Sequence, residues 1–383
     1  MTYATLADVD VAGKRVLLRV DFNVPLESGR IVDGTRIRES LPTVRWLLRH
    51  GARQVILMSH LGRPKGREEK SSLRPVAAHL HGLLGEQVGF VDDCLSPVPS
   101  TRVVLLENLR FHPEEEKNER AFAEKLAAHA DLYVNDAFGT AHRAHASVAA
   151  ITEFLPSCAG LLMAKELKML HAVAQGAKPL VVLLGGAKLE TKLPVIERFL
   201  PFAERILVGG AMPYTFLAAE GGSVGSSLVE QDYFDRAREL LHDRLFREKV
   251  LFPEDCIISP DATGNSPMKE SPSKMIPEGW MGLDLGTKST EAFLKELGRA
   301  KTVLWNGPLG FAEVPAFAMA TERIAFALAE GRAKVVAGGG DTLAVVERLG
   351  LTAKYAHCST GGGAFLELIS GKKLPALEAL ERG

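Results

Sequence analysis

At 383 residues the chain exceeds one compact core of ordinary size, which predicts two domains of about two hundred residues each. Its 46% hydrophobic and 24% charged residues are those of a globular protein, and a net charge of −1 provides no overall field for nucleic acid or an anionic membrane. Any anion must therefore be held by a local cluster of cations. Cys94, Cys158, Cys256 and Cys358 lie far apart without a Cys-x-x-Cys pair, and no apolar window or leader-like segment suggests membrane insertion or secretion, so a reduced, cytoplasmic protein is expected.

Short apolar runs alternate with helical periodicity along the whole chain, the pattern of α/β architecture with doubly wound parallel sheets. Strands are predicted over 15–20, 54–58, 102–106 and 132–134 in the first half. In the second half they fall at 180–184, 205–208, 303–305, 334–337 and 355–358. Between the halves, residues 161–170 read as a helix with Met163, Leu167 and Leu170 at spacings of four and three. Pro156 and Gly160 precede it, and Gly176 and Pro179 follow. A connector between two Rossmann-like domains is the expected role, with domains at 1–157 and 176–365 and a hinge at 158–175; a surface helix inside one domain is the competing reading.

The strand ends differ between the halves. The first-half ends carry Asp21, Asn23, His60, Arg63, Arg110, His142 and Arg143, with Arg36 a little downstream of the first. Arginine grips carboxylate or phosphate through two parallel charged hydrogen bonds, so Arg36, Arg63, Arg110 and Arg143 converging with His60 suit a small, multiply charged anion, with Asp21 and Asn23 taking a hydroxyl. A surface ion pair is the alternative for any one arginine, as is an ordinary loop histidine for His60 or His142. Arg19 is read as structural.

The second-half ends carry glycine: Gly185-Gly186, Gly209-Gly210, Gly338-Gly339-Gly340 and Gly361-Gly362-Gly363. Lys188 and Lys192, four apart at a helix start, are expected on one helical face beside free backbone N–H groups, an anion cradle; a solvated face is the alternative. Asp341 is a candidate magnesium ligand, with a helix N-cap role open to it and to Thr342. The N–H groups of 361–363 can face charge that develops in a transition state. No P-loop, complete dinucleotide fingerprint or protein-kinase catalytic loop occurs, which leaves a nucleotide site built on open-sheet glycine turns.

These residues, in this order, resemble the phosphoglycerate kinase family over essentially the whole length. The likeness rests on Arg19-Val20-Asp21-Phe22-Asn23-Val24-Pro25, Ser59-His60-Leu61-Gly62-Arg63-Pro64, Glu107-Asn108-Leu109-Arg110-Phe111 and the stretch from Val134 through His145. In the second half it rests on Gly185-Gly186-Ala187-Lys188, Trp305-Asn306-Gly307-Pro308, Gly338-Gly339-Gly340-Asp341-Thr342 and Ser359-Thr360-Gly361-Gly362-Gly363-Ala364.

The resemblance implies reversible phosphoryl transfer between 1,3-bisphosphoglycerate and MgADP in glycolysis, by a hinge-bending cytoplasmic monomer. It implies that Asp21, Asn23, Arg36, His60, Arg63, Arg110 and Arg143 hold glycerate, with Arg36 also near the transferring group. Lys188, Lys192, Gly361 and Gly362 would serve the transferred phosphoryl. Gly186, Ala187, Lys192, Gly339, Gly340, Asp341 and Thr342 would meet phosphates and magnesium, Glu313 the ribose, and Gly209, Gly210, Gly282 and Pro308 the adenosine. Residues 366–383 are expected to pack back on the first domain. A related acyl-phosphate or sugar-acid kinase and a catalytically silent binding homologue are the alternatives. The chain departs from the family pattern at Glu190-Thr191-Lys192, at Gly286-Thr287-Lys288-Ser289 and at Gly310-Phe311-Ala312, which places nucleotide affinity in question.

Overall fold

The computed structural model describes residues 3–381. The chain divides into two compact units, one formed by Met1–Lys168 with the segment from Lys373 onward, the other by Met169–Lys372. The first contains β1 (Arg15–Arg19), β2 (Gln54–Met58), β3 (Val88–Val91), β4 (Val103–Leu106), β5 (Leu132–Asn135) and β6 (Ser157–Ala159). They form one parallel sheet in the order β3-β4-β2-β1-β5-β6. The second contains β7 (Leu180–Leu184), β8 (Arg205–Val208), β9 (Val250–Leu251), β10 (Thr302–Asn306), β11 (Lys334–Gly338) and β12 (His357–Ser359). These too are parallel, in the order β9-β8-β7-β10-β11-β12.

Central strands read as unbroken apolar runs because helices cover both faces of a parallel sheet. Val16 and Leu18 of β1 join Val55 and Leu57 of β2 in the core on one face, and Leu17 and Ile56 are equally buried. The helix Thr35–Arg49 covers that core with Ile37, Leu41, Val44 and Leu48, at spacings of four, three and four. Each such side chain contributes about 1.5–3 kcal/mol by leaving water.

Three strands of the two six-stranded sheets lie outside the predicted set, and all are at sheet margins: β3, β6 and β9. All three are short, Gly89 interrupts β3 and Ser157 opens β6, so their apolar signal is weak. A three-stranded antiparallel sheet, Asp255–Ser259 between Lys269–Pro272 and Met281–Leu285, was also unpredicted. The exposed outer residues of Lys269–Pro272 hide it among polar loops.

The connecting helix runs Leu161–Ala174, four residues beyond the predicted end, and the division between units falls within it. Asp136 caps its start, accepting hydrogen bonds from the N–H groups of Leu162 at 2.8 Å and Met163 at 3.2 Å. A Cβ on Gly160 would lie 2.2 Å from that carboxylate, which is why glycine precedes the helix. The returning C-terminal segment begins at Lys373 rather than 366, because the helix Gly363–Ile369 belongs to the second unit. In the first unit, the N–H of Ala376 donates to the carbonyl of Ala141 at 3.1 Å.

Candidate active site

The register of the first sheet aligns Arg19 with Met58 on one side and Asn135 on the other. The segments that follow β1, β2 and β5 therefore leave along one edge, the carboxyl edge where open parallel sheets bind ligands. Asp21 and Arg36 form an ion pair, Nη1 to Oδ2, at 2.8 Å. The side chain of Asn23 accepts from the N–H of Gly62 at 2.9 Å, tying the first strand end to the second. Arg110 donates to the carbonyl of Gly62 at 2.6 Å, while its Nε lies 3.1 Å from Glu116 without alignment for a hydrogen bond. Arg143 donates to His142 at 3.2 Å.

Their electrostatic effects show that most of these cations converge. His60 is held well below its ordinary range, first by burial and then by Arg19, Arg110, Arg36 and His145. His145 is pushed down to about 3 by burial and by Arg110, Arg19, Arg143 and His142. Burial also lowers Arg110, with Arg143 and Arg19 acting in the same direction and Glu116 against it. Both imidazoles are thus neutral, which spares the cluster further positive charge. Arg63 stands exposed on the loop after β2, and no hydrogen bond draws it into this group. Arg19, read from the sequence as structural, is fully buried and touches His60.

In the second sheet, Leu184 aligns with Val208 and Asn306, Asn306 with Gly338, and Gly338 with Ser359. The turns after all five of these strands therefore emerge on one carboxyl edge. These glycines have two different jobs. A Cβ on Gly185 would lie 2.0 Å from the carbonyl oxygen of Pro308, and one on Gly210, at φ +68°, would lie 2.3 Å from that of Gly186. Here backbone packs directly on backbone, and hydrogen bonds from Gly186 N–H to Pro308 and from Gly210 N–H to Leu309 close the contact. Gly209 and Gly282 are likewise filled from within, by Leu309 and by the Tyr214 ring. By contrast nothing lies within 4 Å of a Cβ at Gly186, Gly340 or Gly362, so those turns leave room for a ligand.

The lysine pair differs from its expected form. Lys188 is the extended N-cap residue of the helix Leu189–Phe199, so it does not share a helical face with Lys192. Nor are the first N–H groups free: Leu189 and Glu190 donate to the carboxylate of Glu230, a residue that nothing in the local sequence marks. Lys192 donates to Asn306, and burial pulls its ammonium down to about 8 while the charge of Asp341 opposes the shift. Asn306 in turn donates to the carbonyl of Gly338 at 2.8 Å. The Thr342 hydroxyl accepts from the N–H of Gly307 at 2.7 Å, so its side chain is a structural link.

A free N-terminus does exist, one strand further along. The helix Gly340–Arg348 starts with no side-chain cap, which leaves the N–H groups of Gly340, Asp341 and Thr342 without partners inside the helix. Asp341 and Glu313 are exposed, and Gly361 donates to Ser359 at 3.1 Å. The departure at 286–289 is a helix start held by Asp255, which accepts from Lys288 and Ser289. Thr191 bonds back to the carbonyl of Lys188 at 3.1 Å.

Comparison with known proteins agrees with this arrangement. The family model described as "Phosphoglycerate kinase" matches residues 6–372. The phosphoglycerate kinase of Moorella thermoacetica is 48% identical over 391 residues, covering 99% of both chains. The wheat relative, named "Phosphoglycerate kinase, cytosolic", is 48% identical over 392 residues and 98% of both chains. The solved structure of phosphoglycerate kinase from Coxiella burnetii superposes with a TM-score of 0.91 at 35% identity, covering 99% of each chain. No helix among the described residues is long and apolar enough to cross a membrane. With matching sheets, matching strand-end motifs and relatives alike over their full length, the chain belongs to the phosphoglycerate kinase family and catalyses its glycolytic phosphoryl transfer between an acyl phosphate and a nucleoside diphosphate.

Proposed function

We propose that the first unit holds 3-phosphoglycerate or 1,3-bisphosphoglycerate through Arg36, Arg63, Arg110, Arg143 and His60, and that Asp21 and Asn23 orient the substrate hydroxyl. The observation that carries this reading is the gathering of Arg19, Arg36 and Arg110 around a neutral His60 at one sheet edge. Surface ion pairs, worth about 0–1 kcal/mol, give no reason for such a gathering. Glycerate would displace the Asp21–Arg36 pair, freeing Arg36 for the reacting carboxyl.

In the second unit, Lys188 and Lys192 serve the nucleotide phosphates and the transferred phosphoryl, the open turns at Gly186, Gly340 and Gly362 admit them, and Ala187 and Gly339 flank those turns. Gly209, Gly210, Gly282 and Pro308 shape the adenosine pocket mainly by their own packing, and Glu313 takes the ribose. Asp341 offers magnesium an exposed hard oxygen beside the free N–H groups of Gly340 and Thr342. A magnesium ion brought with the nucleotide would be held by Asp341 and would supply neutralisation of phosphate charge there.

In the ATP-consuming direction the nucleophile is a carboxylate with a pKa near about 4, already ionised at neutral pH, so no general base is needed. Catalysis is positioning plus neutralisation of charge on the moving phosphoryl group by Arg36, Lys188, Lys192 and the N–H groups of Gly361 and Gly362. Attack requires reacting atoms about 3–3.5 Å apart, so movement about the helix Leu161–Ala174 brings the two substrates together once both are bound. The protein works in the cytoplasm as a monomer.

A coupled assay with 3-phosphoglycerate and MgATP tests the assignment. Arg36→Ala and Lys188→Ala are expected to fold and to lose most turnover; full activity in either removes that residue from the mechanism. Small-angle scattering tests closure, since equal compactness in free, singly and doubly liganded protein contradicts it.

A further inference from the structure

Behind His60 lies a line of buried polar groups that the reaction as described does not use. Glu115 and Ser147 are fully buried, as is Arg19. The Ser147 hydroxyl donates to Glu115 at 2.6 Å, and the Ser147 N–H reaches the same carboxylate at 2.9 Å. Arg19 Nε donates to the Ser147 hydroxyl at 2.9 Å, one Nη to the carbonyl of Val20, and the other Nη lies 3.2 Å from His60 Nδ1.

Each bond in this line has a forced direction. Guanidinium can only donate, so His60 Nδ1 must be the acceptor and the ring proton must sit on Nε2. Ser147 has one hydroxyl proton; giving it to Glu115, it can only accept from Arg19. Glu115 supplies the opposite charge that a buried guanidinium requires.

We propose that Glu115, Ser147 and Arg19 form a positioning relay that locks His60 as a neutral Nε2–H donor for the glycerate substrate. This rests on the reading that His60 binds glycerate. Arg110, Arg36 and His145 also face His60 and reinforce its neutrality, but among the described residues only Arg19 touches Nδ1 and selects the tautomer. A donor without charge holds an oxyanion or hydroxyl without adding another cation to a crowded site. It also keeps glycerate affinity free of a histidine titration between about pH 5 and 8.

The test begins with nitrogen NMR of the unmodified protein, in which His60 is expected to carry its proton on Nε2 from about pH 5 to 8. A proton on Nδ1, or a titration in that range, overturns the proposal. Ser147→Ala removes the middle link while leaving both charges, and Glu115→Gln removes the counter-charge at constant shape. Both should raise the Michaelis constant for 3-phosphoglycerate by about tenfold, the scale of one charge-assisted hydrogen bond. That for MgATP should stay unchanged, and the His60 ring proton should no longer be confined to Nε2. Unchanged glycerate constants and an unchanged His60 tautomer in both variants remove the relay. His60→Ala separates the two readings: normal glycerate affinity there removes the role of His60 itself, whereas a raised constant there with parent-like Ser147→Ala and Glu115→Gln removes only the relay.

Discussion

Lys192 should make nucleotide binding depend on pH in a calculable way. In the free protein burial lowers its ammonium to about 8, with Asp341 opposing, whereas an unperturbed lysine titrates near about 10.4. A polyphosphate at Lys192 favours the charged form and draws its pKa back up. Between the two values binding takes up a proton, so affinity falls about tenfold for each pH unit above about 8. At about pH 9 roughly nine-tenths of the free protein carries neutral Lys192, and MgADP should bind about tenfold more weakly than at about pH 7.

Titration calorimetry in two buffers of different protonation heat counts the proton directly. Uptake should approach one at about pH 9 and vanish near about pH 7. Lys192→Arg, charged at every accessible pH, should abolish the uptake. Flat affinity with no proton uptake in the parent protein, or uptake that persists in the arginine variant, refutes the reasoning. In the free protein the unfolded chain holds this proton more tightly, so the contribution of Lys192 to stability rises with pH from about 8 to about 10.4.

Other expectations follow from single contacts. Gly185→Ala drives a methyl group into the Pro308 carbonyl, 2.0 Å from its position, and should cost about 1–3 kcal/mol in urea unfolding while weakening ADP binding. At Gly340 nothing lies within 4 Å, so alanine should leave stability equal or higher by up to about 1 kcal/mol and still weaken ADP by crowding the phosphates; unimpaired ADP binding would count against a phosphate there. Asp136, raised to about 6 by burial, holds its proton more tightly when folded. Its stabilising contribution is therefore present below about pH 4 and lost as pH rises through about 6. Asp136→Asn should gain about 2–3 kcal/mol relative to the parent between about pH 4 and 7, and a pH-independent difference contradicts this. Glu230→Gln should lower stability by about 0.5–2 kcal/mol through a weaker helix cap, read from the urea midpoint.

Much of the architecture can be read directly along the chain. Central strands such as Gln54–Met58 and Leu180–Leu184 are buried on both faces and announce themselves as apolar runs ending in polar or glycine turns. Motif order alone also marks both strand-end clusters and the family. Three of the edge strands and the antiparallel sheet escape such reading, because short or half-exposed strands need no long apolar pattern.

The site shows the same divide. Sequence determined which side chains are available: arginines and histidines after the first-half strands, lysines and glycines after the second. Tertiary structure decided what each one does. Glu230 reaches the Leu189 helix start from 41 positions away, and Arg19 meets Ser147 across 128. Whether Gly185 serves a ligand or the Pro308 backbone depends on a contact between two separate turns. Charge, hydrogen-bonding capacity and backbone freedom are properties of a residue and can be read from its letter. Burial, partner and protonation state belong to its surroundings, and those exist only once the strands have been brought side by side.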